Sequence, residues 1–111
     1  MIEITIYKNA DNLITGFMVL GHANYAEKGS DIVCAAVSAL VINTINSIEH
    51  FTSDDFNIKQ DEKKGLIEFH VVGSASDSGN LLLSSLAFGL EGIEEEYTDR
   101  YIKVLHQEKP Q

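Results

Sequence analysis

A long apolar stretch in the first half of the chain restricts the fold more than any other feature. Residues from Asp31 to Phe51 predict one continuous helix, and its front half, Ile32 to Leu40, is apolar on nearly every side. A helix with this pattern is typically buried on most sides. It therefore needs a sheet from the same chain to pack against.

Short strands with alternating apolar and polar residues surround this helix. Ile2 to Tyr7 and Leu13 to His22 flank a polar turn and predict a hairpin, with Gly16 as a bulge position. Phe56 to Gln60 and Leu66 to Val72 flank a charged turn and predict a second hairpin. The strands therefore come in two neighbouring pairs, one before the helix and one after it.

The rest of the chain predicts a second helix and a last strand. The helix covers about Asn80 to Arg100, with Ser76 or Asp77 as its cap, and the strand covers Tyr101 to His106. The order ββαββαβ favours an α+β two-layer sandwich, with an antiparallel-rich sheet and two helices. No linker divides the chain, so residues 1–111 are predicted to form a single domain.

The charge balance and the cysteine count restrict the function classes. The chain has 8 basic and 17 acidic residues, a formal net charge of −9, which opposes direct binding to nucleic acid. This charge would attract a basic partner, although a solvated acidic surface is the simpler interpretation. One cysteine excludes an internal disulfide and fits a reducing compartment. Neither a membrane span nor a signal peptide is evident, so we expect a cytoplasmic protein.

Cys34 and His22 lie on either side of one strand–loop–helix connection, Gly21 to Ala36. With Asp31 as the N-cap, Cys34 is predicted to be the third helical residue, where free backbone N–H groups and the helix dipole favour a thiolate. His22 can take the thiol proton and deliver it to a leaving group. The helix start can also hold an oxyanion, so the pattern predicts hydrolysis by acyl transfer.

Neighbouring residues are candidates for supporting roles. Ser38 lies one turn beyond Cys34 on the same helix face, and Asp31 fixes the helix start or orients His22. Gly29 is a candidate hinge for a mobile lid formed by Asn24 to Ser30, with an ordinary flexible connection as the alternative.

Each of these interpretations has a structural alternative. A lone cysteine in an apolar helix is usually a small core residue, and a lone histidine at a strand end is usually structural. The sequence shows no paired ligand spacing for a metal and no glycine-rich phosphate cradle.

The segment around Cys34 resembles the ribosomal-processing cysteine protease family, Prp. The resemblance is carried by Gly21-His22-Ala23, by Gly29, and by the run from Asp31 to Ser38, which reads Asp-Ile-Val-Cys-Ala-Ala-Val-Ser. It extends to the chain length, to both hairpins and to the late segment Ile93 to Tyr97.

The resemblance implies a specific activity. Family members are cytoplasmic bacterial endopeptidases that remove an N-terminal extension from a large-subunit ribosomal protein, the one numbered twenty-seven, during ribosome assembly. Cleavage follows aromatic residues, the enzymes are homodimers with an α+β sandwich fold, and no cofactor is implied. By position, Cys34 is then the nucleophile and His22 the general base. Asp31, Ser38, Gly21 and Gly29 fall at matching motif positions, with supporting or substrate-binding roles.

Two other classes of function remain open at the level of sequence. The first is a non-enzymatic acidic dimer that escorts a basic ribosomal protein, in which Cys34 is only a packed core residue. The second is a redox sensor, although the chain holds no resolving cysteine.

Overall fold

Five strands and two helices follow one another in the predicted order ββαββαβ. The structure, a computed structural model, describes residues 1–21, 30–97 and 100–109. Its elements are β1 (Ile2–Lys8), β2 (Ile14–Leu20), α1 (Ser30–Phe51), β3 (Phe56–Asp61), β4 (Leu66–Val71), α2 (Asp77–Tyr97) and β5 (Ile102–Glu108). The predicted α+β class is therefore confirmed.

The strands form one mixed sheet with the order β3-β4-β2-β1-β5. Both predicted hairpins are present, because β1 pairs with β2 and β3 with β4, each antiparallel. The β2–β4 pair is also antiparallel and joins the two hairpins. Only β5, which lies beside β1, is parallel to its neighbour. The sheet is therefore antiparallel-rich, as predicted.

The core lies between the sheet and the helices. Phe17 and Phe69 are fully buried and stack with their ring centroids 5.1 Å apart. The predicted α1 stripe is buried, and so is a matching stripe on α2. The α1 stripe consists of Val37, Val41, Ile45 and Ile48, and the α2 stripe of Leu83, Leu86, Ala87 and Leu90.

The front half of α1 is buried on one side only, so the prediction of burial on most sides is wrong. Val33 is fully buried, whereas Ile32 is 60% exposed. The two-layer arrangement explains the difference, because a helix on one face of a sheet keeps its outer side in solvent. By length and composition α1 is long and apolar enough to cross a bilayer. Its buried stripe is typical of the core helix of a globular protein.

Gly16 lies beside an irregularity in β2. The β1–β2 register shifts between Tyr7 and Lys8, which pair with Gly16 and Ile14. Thr15 is therefore the extra residue, next to the predicted bulge position. A Cβ at Gly16 would overlap the carbonyl oxygen of Phe69. A glycine at this position thus lets β2 and β4 approach closely.

Candidate active site

Cys34 is the fifth residue of α1, because the helix begins at Ser30. The prediction that Asp31 is the N-cap is therefore wrong, and Asp31 lies within the first turn. Helical side chains lean toward the helix N-terminus, so the Cys34 thiol is directed back over that turn. The positive end of the helix dipole and the free N–H groups favour negative charge there.

A cavity of about 300 Å³ opens between α1 and the end of the β3–β4 hairpin, and Cys34 lines it. Cys34 is a free thiol and is partly exposed, so a molecule in the cavity can reach it. The other lining residues come from three parts of the fold. They are Val37 and Ser38 on α1, Ile2, Val19 and Gly21 on or beside β1 and β2, and Gln60, Asp61, Glu62, Gly65, Leu66 and Ile67 on the β3–β4 hairpin. We call this space the Cys34 cavity.

A larger surface depression lies at the other end of α1. It has a volume of about 600 Å³, and every residue that lines it belongs to the segment from Asn46 to Phe51. Because one helix supplies all of its lining, this depression has no opposing wall to enclose a ligand. The Cys34 cavity is therefore the better candidate site, although it is smaller.

Gly21 determines how β2 ends beside the Cys34 cavity. Its φ angle is 107°, a left-handed conformation that favours glycine. A Cβ on Gly21 would lie 2.6 Å from the carbonyl oxygen of Met1, and its N–H donates to the carbonyl oxygen of Gly65 at 3.2 Å. Gly21 therefore joins the end of β2 to the hairpin that walls the cavity.

The structure brings together three of the six residues that the sequence predicts for the site. Cys34, Ser38 and Gly21 all line the Cys34 cavity. Asp31 is exposed in the first turn of α1 and is not among the lining residues. His22 and Gly29 lie outside the described residues, as does most of the predicted lid.

Sequence reasoning missed the wall of the cavity that the β3–β4 hairpin provides. Leu66 and Ile67 supply apolar surface, and Gln60, Asp61 and Glu62 supply polar groups. The Asp61 carboxylate accepts the backbone N–H groups of the next turn at 3.0 and 3.3 Å, so it holds the turn in shape. The hairpin itself was predicted. Its position beside α1 was not, because that position depends on the β2–β4 pairing, which joins segments far apart in the chain.

Among the described residues, the two ionisable groups with shifted pKa values, Glu68 and Tyr7, lie on the sheet face that points away from the helices. Glu68 and His70 alternate with the core residue Phe69 along β4. A hydrogen bond from His70, with Nε2 and Oε1 2.9 Å apart, lowers the pKa of Glu68. Burial raises the pKa of Tyr7, whose ring stacks on His70. None of these three residues lines the Cys34 cavity.

The fold and the site together define a class of protein. A partly exposed thiol near the start of a helix, open to a largely apolar cleft, is the placement that the nucleophile of a cysteine-dependent hydrolase needs. Across residues 1–21, 30–97 and 100–109, no cluster of three or more His, Cys, Asp or Glu side chains is arranged to hold a metal ion.

Comparison with known proteins identifies the family. The model of the family "cysteine protease Prp" matches residues 1–103. Two relatives named ribosomal processing cysteine protease Prp, from Staphylococcus aureus and Bacillus subtilis, are each 34% identical to this chain. Each match covers 89% of this chain, and they cover 93% and 92% of the relatives. This chain belongs to the Prp family of cysteine proteases.

A solved structure agrees with this assignment. The essential ribosomal processing protease Prp from Staphylococcus aureus, in complex with a covalently linked product peptide, superposes with a TM-score of 0.87 at 33% identity. The alignment covers 96% of this chain and all of the other, 100%. The predicted enzyme class, a cysteine protease, is confirmed, so we do not retain the non-enzymatic escort.

Proposed function

We propose that this protease removes the N-terminal extension of a ribosomal protein precursor, the bacterial large-subunit protein numbered twenty-seven, during ribosome assembly. Relatives named for ribosomal processing support the proposal. The observation that carries it is the position of Cys34, which is partly exposed beside the first turn of α1 and open to the Cys34 cavity.

In the first step, the Cys34 sulfur attacks the carbonyl carbon of the scissile peptide bond. His22, the proposed general base, takes the thiol proton. The carbonyl oxygen becomes an oxyanion, which the backbone N–H groups at the start of α1 stabilise. The C–N bond then breaks, and His22 gives its proton to the leaving amine. The mature ribosomal protein leaves with this new N-terminus.

In the second step, water releases the extension from the enzyme. The extension is held as a thioester on Cys34, and His22 takes a proton from the attacking water. The C–S bond breaks, the extension leaves as a carboxylic acid, and the proton on His22 returns to the thiol. The bonds and protons therefore balance with water as the only co-reactant.

The lining of the Cys34 cavity fits the substrate that we propose. Val19, Val37, Leu66 and Ile67 give it apolar walls, which suit the aromatic residues that the family resemblance implies before the scissile bond. The net charge of −9 suits a basic ribosomal protein.

The proposal extends to the supporting residues and to the setting of the enzyme. Ser38 and Gly21 shape the cavity, Asp31 supports the helix start, and Gly29 acts as a hinge. The enzyme works in the cytoplasm as a homodimer and does not contact nucleic acid directly.

Incubation of the enzyme with the host's own extended ribosomal precursor tests the proposal. Mass spectrometry should detect one cut, directly after aromatic residues. Cys34→Ala is expected to reduce cleavage by roughly 10³-fold or more, because no other group replaces the thiolate as nucleophile. The thermal unfolding midpoint should change little, because the side chain is small and only partly buried.

Two variants complete this experiment. Ser47→Ala, a similar truncation later on α1, should cleave at the wild-type rate. His22→Ala should retain the thiol but cleave more slowly, since the proposed base is lost. Wild-type cleavage by Cys34→Ala would refute the proposed mechanism, and an intact precursor after incubation with the wild type would refute the proposed substrate.

A further inference from the structure

The free edge of β3 presents the backbone groups of alternate residues to solvent. The N–H of Val72 donates to the carbonyl oxygen of Asp55 at 2.8 Å, which makes this pair a hydrogen-bonded pair of the β3–β4 ladder. Hydrogen-bonded pairs alternate with non-bonded pairs in an antiparallel ladder. The N–H and C=O groups of Phe56, Ile58 and Gln60 therefore point away from β4.

This edge is open along the part of the chain that the structure describes. No backbone group among residues 1–21, 30–97 and 100–109 bonds the outward N–H or C=O of Ile58 or Gln60. Ile58 pairs with the core residue Phe69, so its side chain lies on the helix side of the sheet. It is nevertheless 41% exposed. The two helices therefore do not fully cover β3, and part of its helix-side surface is exposed.

The opposite edge of the sheet differs because side chains from α2 cover it. The N–H of Ile2 donates to the carbonyl oxygen of Tyr101 at 2.8 Å, which leaves the N–H groups of Val104 and His106 pointing outward from β5. Glu94 Oε2 accepts the Val104 N–H at 2.5 Å. Glu91 Oε1 lies 2.6 Å from His106 Nε2. A helix whose side chains contact an edge strand covers that edge and hinders its pairing with another chain.

The open edge leads directly into the Cys34 cavity. Gln60 and Asp61, at the end of β3, line the cavity together with Cys34. An extended chain that pairs with Ile58 and Gln60 therefore reaches the wall of the Cys34 cavity at Gln60 and Asp61. Glu62, at the turn, adds negative charge at the place where the chain would enter.

We propose that the substrate binds as a sixth strand of the sheet, by pairing its extended backbone with the outward groups of Ile58 and Gln60. This inference rests on the proposed function and adds the mode of recognition. Strand addition to a sheet edge obtains affinity from main-chain hydrogen bonds and specificity from alternate side chains. The occupant is an extended, basic peptide, because the edge is continuous with the catalytic cavity and the enzyme is acidic.

Single proline substitutions test the proposed pairing. Ile58→Pro removes an outward N–H but no bond of the β3–β4 ladder, so an edge strand tolerates it. We expect kcat/KM for the extended precursor to fall about tenfold, mainly through KM, since a main-chain hydrogen bond is lost. His106→Pro, which removes an outward N–H on the opposite edge, is the matched control and should cleave normally.

Two further measurements separate pairing from damage to the site. Alkylation of Cys34 by iodoacetamide should proceed at the wild-type rate in Ile58→Pro. In Cys34→Ala, bound extension peptide should slow hydrogen exchange at the amides of Ile58 and Gln60, while Asn57 and Lys59, already paired with β4, should change little. This exchange pattern tests the pairing even if Ile58→Pro fails to fold.

Three outcomes would overturn the inference. The first is normal cleavage by Ile58→Pro, and the second is unchanged exchange at Ile58 and Gln60 when peptide binds. The third is protection of these amides that rises with enzyme concentration without peptide, since a second copy would then occupy the edge. Cleavage by Cys34→Ala would instead refute the proposed mechanism and leave the exchange experiment interpretable.

Discussion

The two helices start in contrasting ways, although each follows a hairpin. At the start of α2, the Ser76 hydroxyl accepts the N–H of Gly79 at 3.1 Å. The backbone N–H and the hydroxyl of Ser76 in turn donate to the Asp54 carboxylate, at 3.0 and 2.8 Å. A Cβ at Gly79 would overlap that carboxylate. The positive end of α2 is therefore filled by groups of the protein itself.

The first turns of α1 border a cavity instead. Cys34 and Ser38 face the Cys34 cavity, and the first turn carries the exposed carboxylate of Asp31. The helix-terminal charge that stabilises a structural carboxylate in α2 also favours negative charge near Cys34 in α1. With Cys34 as the nucleophile that we propose, a helix that follows a hairpin would serve catalysis in the first half of the chain and stability in the second.

The largest effect on stability is expected from Asp54→Ala. This change removes the acceptor of the Ser76 N–H and hydroxyl, and the loss should lower the free energy of unfolding by about 1–3 kcal/mol. Chemical denaturation measures it, and cleavage by the folded enzyme should remain normal. Asp55→Ala, at the exposed neighbouring residue, should stay within about 0.5 kcal/mol of wild type. A loss of cleavage in folded Asp54→Ala would show that the two helix starts are functionally coupled.

A smaller loss is expected from Ser76→Ala. The cap hydroxyl would no longer accept the Gly79 N–H, which should lower the free energy of unfolding by about 1 kcal/mol. The exposed loop residue Ser74 provides the control, since Ser74→Ala should have little effect. In an Asp54→Ala background the loss should shrink, because the two side chains act as one unit. Full additivity of the two losses would contradict a shared network.

The sequence predicts the elements of this fold because their signals are local. The alternation in β1 and the stripe from Val37 to Ile48 each depend on residues within one element. The parallel β1–β5 pair and the β2–β4 pair were not predicted, since they join segments far apart in the chain. The site follows the same division. Cys34 and Ser38 were predicted from local spacing and Gly21 from the family resemblance, and all three line the cavity, whereas its hairpin wall was not predicted.

The cavity wall illustrates why non-local pairing limits sequence reasoning. Val19 on β2 pairs with Ile67 on β4, and both residues line the Cys34 cavity. From its local sequence, each residue is predicted only to be a core-facing strand residue and not part of a cavity. The sheet order brings both residues opposite α1, so that the two hairpins and the start of α1 together line one cavity.

The smallest effects concern the first-turn carboxylates, Asp31 in α1 and Asp77 in α2. Asp31→Asn and Asp77→Asn should each lower the free energy of unfolding by about 0.5 kcal/mol at low salt, because each loses a favourable interaction with a helix dipole. Asp31 lies three residues before Cys34 on the same helix, so its charge also repels a thiolate there. Asp31→Asn should therefore speed alkylation of Cys34 by roughly threefold, whereas Asp77→Asn should leave it unchanged. Equal alkylation rates in both variants would mean that the charge at the start of α1 acts on stability alone, as it does in α2.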